Sequence, residues 1–354
     1  MRIASIASLA AAAFAALGVG TRPALADTAA TISGPHLHEN LAIYFIRGTS
    51  APGAVPLTLA EALAKGGVQV IETGRVNELQ IENTSDEEVF VQAGDIVKGG
   101  RQDRVLTVSL VLPPRSGRIP ISSFCVEQGR WSARGGEDNA RFASASEALP
   151  SSRARVILAA PAPAPSEGIR PAGGPSVGAG DTASRQQKMW ETVAKVQSDL
   201  SAGLNAHVAS PQSATSLQLS LENEKLKEAR AAYIGALEPL GLKGDDIIGY
   251  VVAINGKTVS GDVYTSNGLF RKMWVKQLAA AVTEAIGERA SASAAEPPAT
   301  TAVQEFLAAA ERGTRSERET AFQLRQETRD SDQALYNETR RPSGQSLHKA
   351  YVRK

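Results

Sequence analysis

The chain has 354 residues, 42% of them hydrophobic and 21% charged, with 38 lysines and arginines against 37 aspartates and glutamates. That apolar fraction excludes wholesale disorder and suits one large or two ordinary globular domains. A formal charge of +1 leaves no basic field for nucleic acid, one cysteine excludes an internal disulfide framework and a Cys-based zinc site, and four histidines leave little for a histidine-rich metal centre.

In chain order, Met1 and Arg2 form a basic start, an apolar run fills 3–19, and the triplet Ala24-Leu25-Ala26 follows. The pattern predicts a signal peptide over 1–26, cleaved near Ala26, and an exported bacterial protein, periplasmic or secreted. A membrane anchor is the rival reading, but the run is short for a span, and no later stretch is apolar enough to cross a bilayer. Residues 27–158 read as a β-rich region. Short β patterns stand at 41–46, 68–71, 76–81, 89–91 and 118–121, and the longest, 104–112, stops at Pro113 and Pro114. Turns about every ten residues predict a sandwich-like or strongly bent antiparallel sheet. Thr58 and Glu61 form a capping box that opens one short helix, closed by Gly66.

The Ala/Pro and Gly/Pro/Ser tract at 159–183 holds no core-forming pattern and reads as a flexible linker. From 184 to 287 the periodicity turns helical. Met189, Val193, Val196, Leu200 and Leu204 share one stripe, and Phe270, Trp274, Leu278, Val282 and Ile286 share another. Between them, Asn255-Gly256 joins two β runs as a hairpin. A second linker covers 288–300, and 301–354 holds a short helix and a polar tail with some strand-like alternation. The fold class is α+β: an N-terminal antiparallel, sandwich-like β region with C-terminal helices and a β-hairpin packed against it.

Two polar clusters carry the candidate chemistry, Gly99-Gly-Arg-Gln-Asp-Arg104 and Cys125-Val-Glu-Gln-Gly-Arg-Trp131. Arginines beside an acid after paired glycines present donors to an anion. The second cluster adds a thiol, a carboxylate, a guanidinium and a stacking plane. The candidate binding site is therefore Arg101, Gln102, Asp103, Arg104, Cys125, Glu127, Arg130 and Trp131, for a small-molecule or anionic ligand. The same residue types also suit an internal ion-pair network that locks two loops. An antiparallel return through the turn at 113–117 predicts that the clusters meet, with Arg104 or Arg101 facing Glu127 and Arg130 facing Asp103. The leading functional reading is a binding module. The alternatives are a hydrolase or transferase using Glu127 or Asp103 as general base, or a structural envelope protein without ligand. His36-Leu-His38 is a weak metal pattern without a third ligand, so no metal and no cofactor is assigned.

Both clusters, with 76–83, 89–95, Ile119-Pro-Ile121, Gln187, Trp190, Asp262 and the stretch from Phe270 to Trp274, resemble the ARG and rhodanese-phosphatase superfamily-associated protein family. In that family the first cluster commonly reads Gly-Gly-Lys-Gln-Asn/Asp-Arg, and Arg101 stands here in place of the lysine. The resemblance covers most of 40–287. It implies a shared fold and the location of a site, and it implies no reaction.

Overall fold

The computed structural model describes residues 30–134, 140–160, 179–291 and 295–354. The leader read at 1–26 and residues 161–178 of the first linker lie outside them. In chain order the strands and helices are β1 (Thr31–His38), β2 (Leu41–Arg47), β3 (Leu57–Thr58), α1 (Leu59–Ala64), β4 (Val68–Arg75), β5 (Glu78–Asn83), β6 (Val89–Val91), β7 (Asp95–Gly99), β8 (Arg104–Leu106), β9 (Leu110–Leu112), β10 (Gly117–Cys125) and β11 (Phe142–Ala148). There follow α2 (Ser152–Ala159), α3 (Ala179–Gly203), α4 (Leu217–Leu221), α5 (Glu224–Gly241), β12 (Ile247–Ile254), β13 (Lys257–Tyr264), α6 (Asn267–Gly287), α7 (Thr300–Ala310), β14 (Thr314–Glu319), β15 (Arg325–Asp330), β16 (Ala334–Arg340) and β17 (Ser346–Arg353). The architecture is α+β.

The N-terminal β region makes a six-stranded antiparallel sheet in the order β11-β7-β8-β10-β5-β4. Its two edges meet: Ile71 bridges Arg141, and the Glu72 amide donates to the Ala140 carbonyl at 3.1 Å, so the sheet rolls up on itself. The run 104–112, expected as one strand, breaks at Thr107–Ser109. Its first half pairs within the roll, and its second half joins the small β3-β6-β9 sheet. Closing a sheet of short strands requires such corners.

The larger sheet has eight strands in the order β1-β2-β12-β13-β17-β16-β15-β14. Every residue of β2 from Leu41 to Ile46 is buried, so the strand needs neighbours on both sides and cover on both faces. The β12–β13 hairpin supplies one neighbour. It extends this sheet instead of packing onto a separate one, and it turns on Asn255 (φ 49°) and Gly256 (φ 75°), as a tight hairpin requires. The polar tail supplies four strands that complete the sheet, and α7 packs against it. The edge strand β14, Thr-Arg-Ser-Glu-Arg-Glu, is exposed throughout and protected by its charges. Both linker readings run slightly long, since α3 already begins at Ala179 and the Pro298 carbonyl accepts from the Tyr44 hydroxyl.

Helix α6 is the central pillar. Phe270, Trp274, Leu278, Val282 and Ile286 are all buried. The Trp274 ring lies 5.3 Å from Phe45 and 5.5 Å from Tyr250, and its indole N–H donates to the Glu238 carbonyl at 2.9 Å. Burying so large an aromatic ring with its polar edge satisfied joins helix, sheet and α5 into one core.

Candidate functional site

The paired glycines of the first cluster shape the β7–β8 turn. Gly99 (φ 122°) and Gly100 (φ 55°) take conformations that favour glycine, and a Cβ on Gly100 would lie 2.3 Å from the Phe142 ring. The turn closes when Asp103 Oδ1 accepts the Gly99 amide at 3.0 Å. Strand β8 then pairs antiparallel with β10, Arg104 opposite Cys125, and the Val126 amide donates to the Asp103 carbonyl at 3.1 Å. The structure thus brings the two clusters together.

Their charges cancel one another. Arg134 grips both oxygens of Asp103, at 2.8 and 2.9 Å, and Arg130 Nε donates to Glu127 at 2.6 Å. Arg130 Nη2 stands 3.5 Å from Asp103, and Arg134 Nη1 stands 3.5 Å from Glu127. Ser213 and Ser216 donate hydroxyls to Glu127 and Asp103 at 2.5 and 3.2 Å. Gln102 donates to the Glu127 carbonyl at 3.1 Å. Arg104 faces Glu72 at 3.5 Å rather than Glu127, and Trp131 lies against both Arg101 and Arg104. Asp103, Arg104 and Glu127 are completely buried. Burial, reinforced by Glu127, pushes the Asp103 carboxyl above its ordinary value despite Arg134. The Cys125 thiol donates to the Val76 carbonyl at 3.4 Å, and burial pushes it up to about 11, so it stays protonated and unreactive at neutral pH.

Sequence reasoning missed Glu72, Arg134, Ser213 and Ser216. Arg134 sits three residues past Trp131 in the same loop. Ser216 was visible only as the N-cap of α4, its hydroxyl accepting the Leu219 amide. None of the sequence-selected residues lines either of two neighbouring cavities of about 600 and 530 Å³ elsewhere among the described residues.

A second buried acid has a different setting. Cross-strand pairing lays out two rungs of the large sheet on one face: Tyr250, Asp262, Ala350, Asn337, Thr328, Ser316, and Tyr264, His348, Thr339, Gln326, Arg318. The face is aromatic near β12 and polar toward β14, and α2 packs over its middle. Asp262 accepts Arg155 Nη2 at 2.8 and 2.9 Å and the Tyr250 hydroxyl at 2.5 Å, and it lies 3.0 Å from His348 Nε2. Burial opposes its charge, but Arg155, His348 and Tyr250 outweigh it and hold the carboxyl down to about 2. His348 stacks on Tyr264 at 5.2 Å. Among the described residues its Nδ1 has no hydrogen-bond partner. Arg155 and His348 both line a groove of about 600 Å³ between the end of α2 and the polar rungs. Thr339 and Gln326 donate to the Ser109 carbonyl at 3.2 and 3.1 Å, which fastens the roll to this floor.

Among the described residues, no group of three or more histidine, cysteine or acidic side chains is placed to hold a metal ion, and no helix is long and apolar enough to cross a membrane. His36 and His38 lie apart from both acid clusters, against Phe45 and Tyr233.

Fold and site together define an α+β protein of two large antiparallel sheets and a smaller third, with a buried ionic network in the six-stranded sheet and a polar groove on the eight-stranded one. The chain belongs to the ARG and Rhodanese-Phosphatase-superfamily-associated Protein domain family, whose profile matches residues 29–352. No curated protein and no solved structure matches it.

Proposed function

We propose that the protein is a binding protein, exported after loss of 1–26, whose small polar ligand sits in the groove between α2 and the polar rungs of the eight-stranded sheet. The observation that carries this reading is the Asp262 cluster: a buried carboxylate orients Arg155 and His348, and both line a groove of about 600 Å³. Ligand sites are commonly clefts of about 300–1,000 Å³ with a few fixed polar groups. With Nε2 engaged by Asp262, His348 leaves Nδ1 for a hydrogen bond to a ligand, and the neighbouring rungs offer hydroxyl and amide groups. On this reading the network from Arg101 to Trp131 is an internal brace. Asp103 and Glu127 are each occupied by arginine, which disfavours either as a general base.

The test is a thermal-shift screen of the purified protein against polar metabolites, where a ligand of the native state raises the midpoint by mass action. Hits should be lost in His348→Asn and kept in Arg130→Lys. The opposite pattern would return the ligand to the sequence-selected network. For export, the expected result is an N-terminal sequence beginning at Asp27 in the periplasmic or secreted fraction; a retained Met1 there would end that part of the proposal.

A further inference from the structure

A second cavity, of about 530 Å³, adjoins the groove and shares Thr107, Leu158, Ala160 and Arg318 with it. Two guanidinium groups line it, Arg185 from α3 and Arg318 from β14. Among the described residues neither has an ion-pair partner. Arg185 lies over the Phe124 ring at 5.4 Å and donates Nη2 to the Ile157 and Ala160 carbonyls, at 2.6 and 3.3 Å, where α2 ends. Its Nε is buried with no partner. Arg318 spends Nε and Nη2 on a neutral acceptor, Gln326 Oε1, at 3.0 and 2.7 Å. Burial lowers Arg185 from its ordinary value, and the like charge of Arg318 adds to this, while the exposed Asp181 one turn away opposes it. The third arginine, Arg75, is neutralised by Glu78 at 3.1 Å. On the cavity wall, Ser123 Oγ is likewise buried without a partner.

Two neighbouring guanidinium groups without carboxylate partners, one with an orphaned Nε, beside an orphaned serine hydroxyl leave a cavity with surplus positive charge and unused donors. Guanidinium forks match the oxygen geometry of phosphate. We propose that this cavity is an anion subsite that binds a phosphate group through Arg185, Arg318 and Ser123. It rests on the groove reading only for the remainder of the ligand.

Pyrophosphate titrated calorimetrically into the full chain at constant ionic strength tests the subsite directly. Saturable binding is expected, weakened about tenfold or more in Arg318→Gln, the loss of a charged hydrogen bond. Arg318→Lys should fall between. Arg315→Gln removes the same charge from the same strand, where Arg315 pairs with Glu317 and Glu327, and should bind as the parent does. Arg185→Gln also strips the end of α2, so Ser123→Ala is the second probe, with a loss of a few fold. No saturable heat, Arg318→Gln binding like the parent, or an equal loss in Arg315→Gln would overturn the proposal. Pyrophosphate binding that survives His348→Asn while the screen yields no groove ligand leaves the subsite standing and the groove reading fallen. Groove hits indifferent to Arg318→Gln, without pyrophosphate binding, give the reverse.

Discussion

The Asp103 and Asp262 regions hold the same ingredients, a fully buried carboxylate gripped at two oxygens by arginine. Around Asp103 the partners are themselves nearly buried. Arg130, Arg134, Glu127, Ser213 and Ser216 turn toward one another, and the positive and negative groups close on themselves. Around Asp262 the partners have a second side: Arg155 and His348 face the acid with one edge and a groove with another. Charge constellations therefore do not separate a brace from a site. Open volume beside an oriented group does, because a ligand needs both a donor or acceptor and somewhere to sit.

Substitutions at the two acids should separate the regions most strongly. Asp262→Ala leaves Arg155 buried and uncompensated and strips Tyr250 and His348, so it should cost toward the upper end of about 3–5 kcal/mol and abolish groove binding. Urea denaturation and the ligand screen check the two halves of that statement; retained binding would sink the groove reading. Asp103→Ala should cost less, about 3 kcal/mol, because Glu127 still faces both Arg130 and Arg134, and the same screen should show ligand binding unaltered.

Acid titration sharpens the contrast, since the two carboxyls shift in opposite directions. Asp262 is held down to about 2 from an ordinary 3.8, so its stabilisation is fully present above pH 3.8 and is lost as pH falls toward 2. That loss should amount to about 2 kcal/mol, and Asp262→Asn should flatten the stability curve in this window. Asp103 is raised, so its contribution is present at low pH and declines as pH climbs through its folded value; Asp103→Asn should remove that decline. The smallest effect is expected from Arg130→Lys, which keeps the charge and loses the fork: about 1 kcal/mol of stability, read from the melting midpoint, with no binding defect.

Much of the local structure was legible from residue order alone. The stripe from Phe270 to Ile286, the Asn255-Gly256 hairpin, the Thr58–Glu61 box and the meeting of the two polar clusters all follow from periodicity, turn chemistry and a strand returning on its neighbour. These are short-range consequences of 3.6- and 2-residue repeats, and they need no knowledge of distant chain. The tertiary structure alone decided which polar residues face open space. Arg155 and His348 reach Asp262 from 107 and 86 residues away, and Ser216 reaches Asp103 from 113. A period of two says which residues of a strand share a face, yet not which strands lie side by side. That order interleaves β1 and β2, the β12–β13 hairpin and the C-terminal strands, because a strand buried along its whole length, as β2 is, must find partners on both edges wherever the chain supplies them.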